Sequence, residues 1–260
     1  MITLRVVACY KYVLDEQDLR VNPGDRSLST DRAAWKISDF DRNAIEEAVR
    51  IKEKHGAVVF ALTAGPAGAK ASLKDALARG SDEGFFIQEE SLAGADPAVT
   101  AKILARAIKK IGSCDLVLCG EGASDDYAQQ VGPRVAVHLG WPAVTYAGKI
   151  LLEGGVLKAE RKLDDGTELV ELELPAVVTV TGDINVPRIP SIKQLIGAGK
   201  KPVQTLTLAD LGIEPGRVAS SLRSESVKGA VVERKRHIFK GDTVEAVSQL
   251  VTALVKEGAI

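Results

Sequence analysis

The stretch CDLVLCGEGASDDYAQQVGPRVAVHL, residues 114–139, decides the fold class of this chain. It opens with an apolar run of strand length and closes with a segment whose apolar residues recur at helical spacing. Between them lies a loop of small and acidic residues. Because a buried strand, a short loop and a helix form the repeating unit of parallel α/β sheets, we expect a sheet of that kind.

The same alternation extends outward through roughly the first 145 residues. Further strands are predicted at residues 3–10, 57–65 and 83–87, and helices at 39–56, 69–80 and 96–112. Asp96 and Pro97 are typical of a helix start, and Gly56 and Gly80 of helix ends. The sequence therefore predicts the α/β fold class, with a doubly wound, mostly parallel sheet and helices on both faces.

The predicted strands also indicate where a ligand would bind. In doubly wound sheets, ligands occupy a crevice beyond the carboxyl ends of the strands, near the point where the strand order reverses. Predicted strands end at residues 9–11, 63–65 and 119–121. The loop that follows Cys119 is therefore expected to form one wall of a ligand crevice.

The second part of the chain has a different pattern. Residues 149–182 indicate a β-hairpin, with turns at 154–155 and 164–166. Residues 183–203 contain three prolines and indicate a long loop with a short helix, while 204–241 are typical of an arm that wraps a partner. An amphipathic helix follows, with Val244, Val247, Val251 and Leu254 on one face. We thus expect three parts: an α/β domain with its hairpin at 1–182, an irregular loop and arm at 183–241, and a C-terminal helix at 242–260.

Composition excludes several classes of protein. Apolar residues make up 45% and charged residues 27%, and the net charge is −1, so neither disorder nor a nucleic-acid surface is indicated. The N-terminus does not have the pattern of a signal peptide, and no apolar run approaches the length of a membrane span. The three cysteines lie in apolar runs without metal-site spacing, which favours a reduced cytoplasmic protein without a metal site.

Motifs for nucleotide binding and for catalysis are absent from the sequence. No GxGxxG follows the first strand, and there is no P-loop, HExxH or GxSxG. His55 and His138 fall near predicted helix C-termini, where a partly positive side chain suits the helix dipole. No nucleophile has a recognisable base, so the residues alone predict no catalytic side chain.

The loop of residues 121–130 has two open interpretations. In the first, its backbone N–H groups and the amides of Gln129 and Gln130 bind a phosphate at a helix N-terminus, and Asp125 or Asp126 accepts from a ribose hydroxyl. In the second, Asp126 only caps the helix and the glutamines are exposed helix residues. Two acids would repel a phosphate unless they point elsewhere, which weighs against a simple phosphate cradle.

The same residues carry a resemblance to a known family. The loop with Asp125, Gln130, Gly132 and LGWP at 139–142 resembles the nucleotide loop of electron transfer flavoprotein beta subunits. The segment ERKLDDGTELVELELPAVVTV at 160–180 is similar to the signature of that family. Three further segments resemble the family in the same order: DFDRNAIEEAVRIKEK, ALTAGPAGAKASLKDALARGSDEGFFI and PRIPSIKQLIGAGKK.

The resemblance implies a Rossmann-like fold of the adenine nucleotide alpha hydrolase-like type, with a C-terminal partner-binding arm. It implies a heterodimer with an alpha subunit that holds a redox FAD. Such a pair carries electrons from acyl-CoA or other dehydrogenases, or from NADH, to a quinone reductase or a ferredoxin-type acceptor. The beta subunit is not itself an enzyme, and it buries AMP or, in electron-bifurcating members, a second FAD.

The resemblance also implies site residues. Ile189, with Arg188 and Pro190, matches the loop that docks dehydrogenases, and Phe40 matches an aromatic residue that faces the flavin of the alpha subunit. The nucleotide would contact two strand ends and the loop, at Cys9, Ala64, Asp125, Asp126, Ala128, Gln129, Gln130 and Val131.

Departures from the ordinary members bear on the branch of the family. Val131 stands where AMP-binding members often have threonine, and QQVGP resembles the bifurcating or nitrogen-fixation-type branch. Tyr127, Glu16 and a shorter anchor loop also depart from the dehydrogenase-serving type. The nucleotide is therefore expected to be AMP or FAD, with FAD favoured. The alternative is a nucleotide sensor of the universal-stress type, which lacks support because no Gly-rich loop follows the fourth strand.

Overall fold

The computed structural model describes residues 3–214, 218–230 and 234–260, which form thirteen strands and six α-helices, numbered here in chain order. The strands are β1 (Arg5–Cys9), β2 (Tyr12–Leu14), β3 (Arg20–Val21), β4 (Leu28–Ser29), β5 (Trp35–Ile37), β6 (Val58–Gly65), β7 (Glu83–Gln88), β8 (Leu116–Gly120), β9 (Ala143–Glu153), β10 (Val156–Leu163), β11 (Gly166–Glu173), β12 (Ala176–Val180) and β13 (Val203–Leu206). The helices are α1 (Asp39–His55), α2 (Leu73–Ala78), α3 (Pro97–Ile111), α4 (Val131–Leu139), α5 (Ile192–Ala198) and α6 (Thr243–Lys256).

One nine-stranded sheet organises the chain, in the order β11-β10-β9-β12-β8-β1-β6-β7-β13. The six strands from β12 to β13 in this order, and the pair β9 and β12, are parallel. From β1 the chain winds outward through β6 and β7, then returns to place β8 on the other side of β1. The predicted doubly wound sheet is confirmed, and its switch point lies between β1 and β8.

Helices cover both faces of the sheet because successive side chains of a buried parallel strand point to opposite sides. Val7 and Cys9 of β1 belong to the core cluster that contains α3 and α4. Val6 and Ala8 belong to the cluster that contains α1 and α2. The strand is therefore apolar on both faces from Val6 to Cys9, as the sequence indicated.

Two of the predicted helix boundaries are confirmed by their capping geometry. Asp96 caps α3, since its side chain accepts a hydrogen bond from the N–H of Val99, and Pro97 occupies the first helical position. Gly56 ends α1 in the left-handed region, with φ of 69°, a conformation that suits glycine. Helix α2 is shorter than predicted, because residues 67–72 form a 3-10 helix before it.

Two parts of the second half differ from the sequence-based expectation. The predicted hairpin is a three-stranded antiparallel meander, β9-β10-β11, and β9 joins it to the main sheet beside β12. Residues 203–206, at the junction of the expected loop and arm, form β13, which pairs with β7 at the edge of the sheet. The two central residues of this four-residue edge strand, Gln204 and Thr205, are polar, so its short pattern did not stand out from a loop.

The remaining segments have less regular structure. The expected short helix in the loop is α5, and the predicted C-terminal amphipathic helix is α6. Parts of the arm expected at 183–241, residues 215–217 and 231–233, lie outside the described residues. Where the chain is described, its helices are all too short or too polar to cross a membrane.

Candidate functional site

The switch point is held together by a buried carboxylate from the first turn of α1. One oxygen of Asp41 accepts from the backbone N–H of Lys11 at 2.8 Å, and the other accepts from the N–H of Gly120 at 3.0 Å. This side chain thus joins the carboxyl ends of β1 and β8. Burial raises the pKa of Asp41 to about 7, although the two N–H groups oppose that shift.

The loop of residues 121–130 is strapped across the end of β1 by an ammonium group. Nζ of Lys11 lies 2.7 Å from a carboxylate oxygen of Asp125 and 3.0 Å from one of Asp126. Burial alone would lower the pKa of Lys11, but these two carboxylates raise it. The acids therefore point at a cation, which removes the objection that they would repel a phosphate at the helix.

The N-terminus of α4 offers unused backbone donors. The helix begins at Val131 with Gln130 as N-cap and no side-chain capping bond, so Asp126 is not the cap and that interpretation is wrong. Among the described residues, the N–H groups of Val131 and Gly132 have no hydrogen-bond acceptor, as is usual in a first turn. Pro133 has no N–H, so these two groups and the helix dipole define a small anion-binding end.

The two glutamines have different roles from each other. Oε1 of Gln130 accepts from Nε and Nη2 of Arg134, at 3.0 and 2.9 Å, which places a guanidinium at the start of α4. Gln129 adopts the left-handed conformation with φ of 58°, and its side chain hydrogen-bonds Tyr127. A left-handed glutamine is uncommon and costs free energy, so the surrounding loop must hold it there. Ala128 precedes the two glutamines, and its N–H donates to Oδ1 of Asp126 at 3.2 Å.

Aromatic residues form the wall of the site next to α1. The ring of Phe40 lies 5.2 Å from that of Tyr127, between ring centres, at a tilt of 40°. Gly120 and Gly182 approach Phe40 closely, and an added Cβ at Gly120 would lie under 3.0 Å from Cβ of Phe40. The absence of side chains at these glycines lets the ring lie over the end of β8.

Cys9 and Ala64, which the resemblance places at the nucleotide, lie at or near the ends of neighbouring parallel strands. Cys9 is 3% exposed, and its thiol contacts that of Cys119 on β8. The contact with Cys119, together with burial, raises the pKa of Cys9. Ala64 is half-buried in β6. A buried neutral thiol does not suit nucleophilic chemistry, so these two positions would contribute backbone and shape.

Close packing positions α4 relative to the sheet. Gly132 faces Thr179 of β12, and a Cβ on this glycine would lie under 3.0 Å from Cγ2 of Thr179. Oγ1 of the same threonine accepts from the N–H of Tyr146 at 3.1 Å. The missing side chain therefore lets the start of the helix approach the strand directly.

The segment that the sequence assigned to partner docking contacts α1 further along the helix, at Glu46 and Glu53. Ile189 is 92% exposed. Pro190 is half-buried, and the side chain of Arg188 is 28% exposed and bonded to Glu46 and Glu53. The structure thus keeps Ile189 free at the surface, while the charge of Arg188 is satisfied within the chain.

Sequence reasoning missed several residues that build the crevice: Lys11, Asp41, Arg134 and Thr179. Lys11 and Asp41 had one available signal each, since one follows the first strand directly and the other lies in the first turn of a predicted helix. Their partners are distant in sequence, so no local pattern pairs them. Together with the free N–H groups, Lys11 and Arg134 provide donors for an anion. Among the described residues of the crevice, no nucleophile is aligned with a base.

The fold defines a class, the doubly wound α/β proteins, and in this chain a helix without a side-chain N-cap follows the strand at the switch point. The electron transfer flavoprotein domain matches residues 26–211. The electron transfer flavoprotein subunit beta of Thermoanaerobacterium thermosaccharolyticum is 39% identical over 255 residues, which are 96% of this chain and 98% of that relative. The chain belongs to the electron transfer flavoprotein family, and the resemblance seen in its sequence is confirmed at that level.

Proposed function

We propose that this chain is the beta subunit of a heterodimeric electron transfer flavoprotein and that the crevice between β1 and β8 holds the adenine nucleotide of AMP or FAD. The observation that carries the proposal concerns the N-terminus of α4, which has no side-chain cap. It directly follows the loop of residues 121–130 at the switch point of the sheet. A phosphate group common to AMP and FAD suits the N–H groups of Val131 and Gly132.

The donor set supports a phosphate-bearing ligand. Arg134 stands at the start of α4, and the ammonium of Lys11 offsets one of the two negative charges of Asp125 and Asp126. A ribose hydroxyl would find acceptors in the carboxylates of Asp125 and Asp126. In this role the chain binds and orients a nucleotide, and the redox chemistry belongs to the flavin.

The choice between the two nucleotides rests on the loop. Val131 provides no hydroxyl for a phosphate, and the QQVGP segment resembles the bifurcating or nitrogen-fixation-type branch. We therefore favour a second FAD in this chain, with NADH as the donor to test.

Exposed apolar surface supports a heterodimer. Helix α6 has no buried residue, and Val244, Val247 and Val251 are 80%, 53% and 45% exposed on its apolar face. Leu222 and Ile238 of the arm are also exposed, at 69% and 80%. Apolar surface of this extent is typical of an interface, and the alpha subunit is the partner that the family implies.

A partner dehydrogenase would dock elsewhere on the chain. Ile189 and the exposed Ile192 and Ile196 of α5 form a small apolar surface that suits transient docking of an acyl-CoA or other dehydrogenase. A quinone reductase or a ferredoxin-type protein would accept the electrons in turn.

The nucleotide content of the purified heterodimer tests this function. The chain is co-expressed with its neighbouring alpha subunit, the complex is denatured, and released FAD and AMP are quantified by chromatography. Two FAD per heterodimer support the favoured assignment, and one FAD with one AMP supports the ordinary carrier. A heterodimer with one FAD and no further nucleotide would overturn the role assigned to the crevice.

A further inference from the structure

The exposed position of Ile189 depends on an unusually well-bonded neighbour. The guanidinium of Arg188 is bidentate to two glutamates of α1. Its Nε and Nη2 lie 2.8 and 3.1 Å from the oxygens of Glu46, and its Nη1 and Nη2 lie 2.6 and 3.0 Å from those of Glu53. Planar, paired hydrogen bonds of this kind set direction as well as distance.

The backbone of the same residue is also held on both sides. The N–H of Arg188 donates to Glu46 at 3.1 Å, and its carbonyl accepts from Nη1 of Arg79 at 2.9 Å. Arg79 belongs to the end of α2 and is itself bonded to Asp75. The backbone of Arg188 is therefore held by one hydrogen bond to α1 and another to the end of α2, and both helices lie outside the docking loop.

A second, buried set of bonds anchors the chain just before this point. Nδ2 of Asn43 donates to the carbonyls of Gly182 and Asn185, and Nδ2 of Asn185 donates back to the carbonyl of Asn43 and to Glu47. Both asparagines are buried. Because the two buried asparagines donate hydrogen bonds to each other, this part of the loop is held in one conformation.

The residues on either side of Arg188 and Ile189 restrict the backbone further. Pro187 and Pro190 have fixed φ angles, and a residue before proline, such as Ile189, is confined to extended conformations. The loop thus places a rigid base beneath one exposed apolar side chain.

We propose that Arg188, with Glu46 and Glu53, is a positioning residue that holds Ile189 ready for docking and does not itself contact the partner. This inference rests on the proposed docking role of the loop. Because a preorganised loop loses less conformational entropy when a partner binds, weakening the bonds should raise the KM for the partner and leave kcat unchanged.

Variants of both partners test the inference in the holo αβ heterodimer. Glu53→Gln removes the charge of the more exposed glutamate, whose side chain is 55% exposed, so the fold is not at risk. Arg188→Gln removes the guanidinium, and Arg188→Lys keeps its charge without the paired geometry. Glu171→Gln, which weakens a surface ion pair with Lys158 on the meander, is the matched control.

Two readouts are taken. The first is reduction of the heterodimer by an acyl-CoA dehydrogenase and its acyl-CoA, as KM and kcat for the heterodimer. We expect Arg188→Gln to raise KM about tenfold and Glu53→Gln, which keeps the bonds to Glu46, to raise it less. The double variant should show no further rise, because Arg188→Gln already removes the bonds to Glu53. The Lys variant should fall between wild type and Gln, and the control should match wild type.

The second readout is hydrogen exchange of the Arg188 amide, which needs no partner. The amide keeps its acceptor Glu46 in Glu53→Gln, so faster exchange in this variant would report loosening of the loop as a whole. We expect exchange a few-fold faster than in wild type or the control. A rise in KM for Arg188→Gln with none for Glu53→Gln would mean that the arginine contacts the partner directly, and the inference would be overturned. Unchanged exchange in Glu53→Gln would overturn it as well.

The two readouts also separate this inference from the proposed function. If the wild-type heterodimer is not reduced by the dehydrogenase, the assigned electron donor is wrong. Hydrogen exchange of the Arg188 amide then tests, without any partner protein, whether Glu46 and Glu53 hold the loop.

Discussion

Replacing Gly132 by alanine should push α4 away from β12, with effects on both stability and nucleotide binding. The added Cβ would lie under 3.0 Å from Cγ2 of Thr179, whereas packed carbon atoms lie about 3.5–4.0 Å apart. The threonine is 3% exposed, and rotating its methyl group away would move the hydroxyl that binds the N–H of Tyr146. The helix itself is therefore the element that must move.

The magnitude follows from two opposing effects. Forcing a methyl group into filled space typically costs about 1–3 kcal/mol. Alanine regains at most about 1 kcal/mol relative to glycine in a helix. We expect Gly132→Ala to lower the free energy of unfolding by about 1–2 kcal/mol, and Tm by roughly 2–8 °C for a chain of this size. Because the N–H of Val131 moves with the helix, bound nucleotide should fall too.

The assay is thermal unfolding of the purified αβ heterodimer at one fixed protein concentration, since association contributes to Tm. Thr179→Ser supplies the matched control, because it removes Cγ2 and keeps the hydroxyl. Alone it should destabilise by about 1 kcal/mol through the lost methyl group. Combined with Gly132→Ala it should restore much of the loss, since the new methyl fills the vacated space. A stable single variant, or strictly additive effects in the pair, would refute the reasoning.

Three further predictions concern the crevice. Lys11→Met should release the loop that Lys11 holds through Asp125 and Asp126, and it should lower the nucleotide content measured by chromatography. Tm should change little because both ion pairs are exposed. A nucleotide content equal to that of wild type would contradict this prediction. Burial raises the pKa of Asp41 in the folded state from 3.8 to about 7, so the carboxyl loses its proton at a lower pH in the unfolded chain. The free energy of unfolding should therefore fall as pH rises from about 4 to 7. Asp41→Asn should flatten that slope in unfolding experiments across this range, and an unchanged slope would exclude the carboxyl as its source. Gln130→Ala should weaken both nucleotide retention and αβ assembly, and size-exclusion chromatography with nucleotide analysis would show neither change if the hypothesis is wrong.

Much of the fold was predictable because it depends on local patterns. The strands around Val7, Phe60 and Val117 are continuous apolar runs, and the helices between them have a clear helical period. Asp96 and Gly56 mark helix ends through bonds to residues within a few positions along the chain. The strand β13 escaped prediction because four half-polar residues at a sheet edge resemble a loop.

The candidate site was predictable only in outline. The loop after β8 could be placed at the carboxyl edge of the sheet, since parallel strands bring their ends together. The direction in which its acidic side chains point could not be predicted, because Asp125 and Asp126 bond a lysine that lies 114 and 115 positions away in the sequence. For the same reason the local motif could not show that Arg188 bonds two glutamates on a distant helix, Glu46 and Glu53.

The sequence by itself determined the order of the elements, the two apolar faces of the sheet and the family to which the chain belongs, since these follow from spacing along the chain. The tertiary structure decided which charges are satisfied. It turned the acids of the loop toward Lys11, buried Asp41 between two strand ends and left Ile189 exposed beside a paired Arg188. Coulombic and hydrogen-bond partners are chosen by distance in space, and only the packed sheet and helices set that distance.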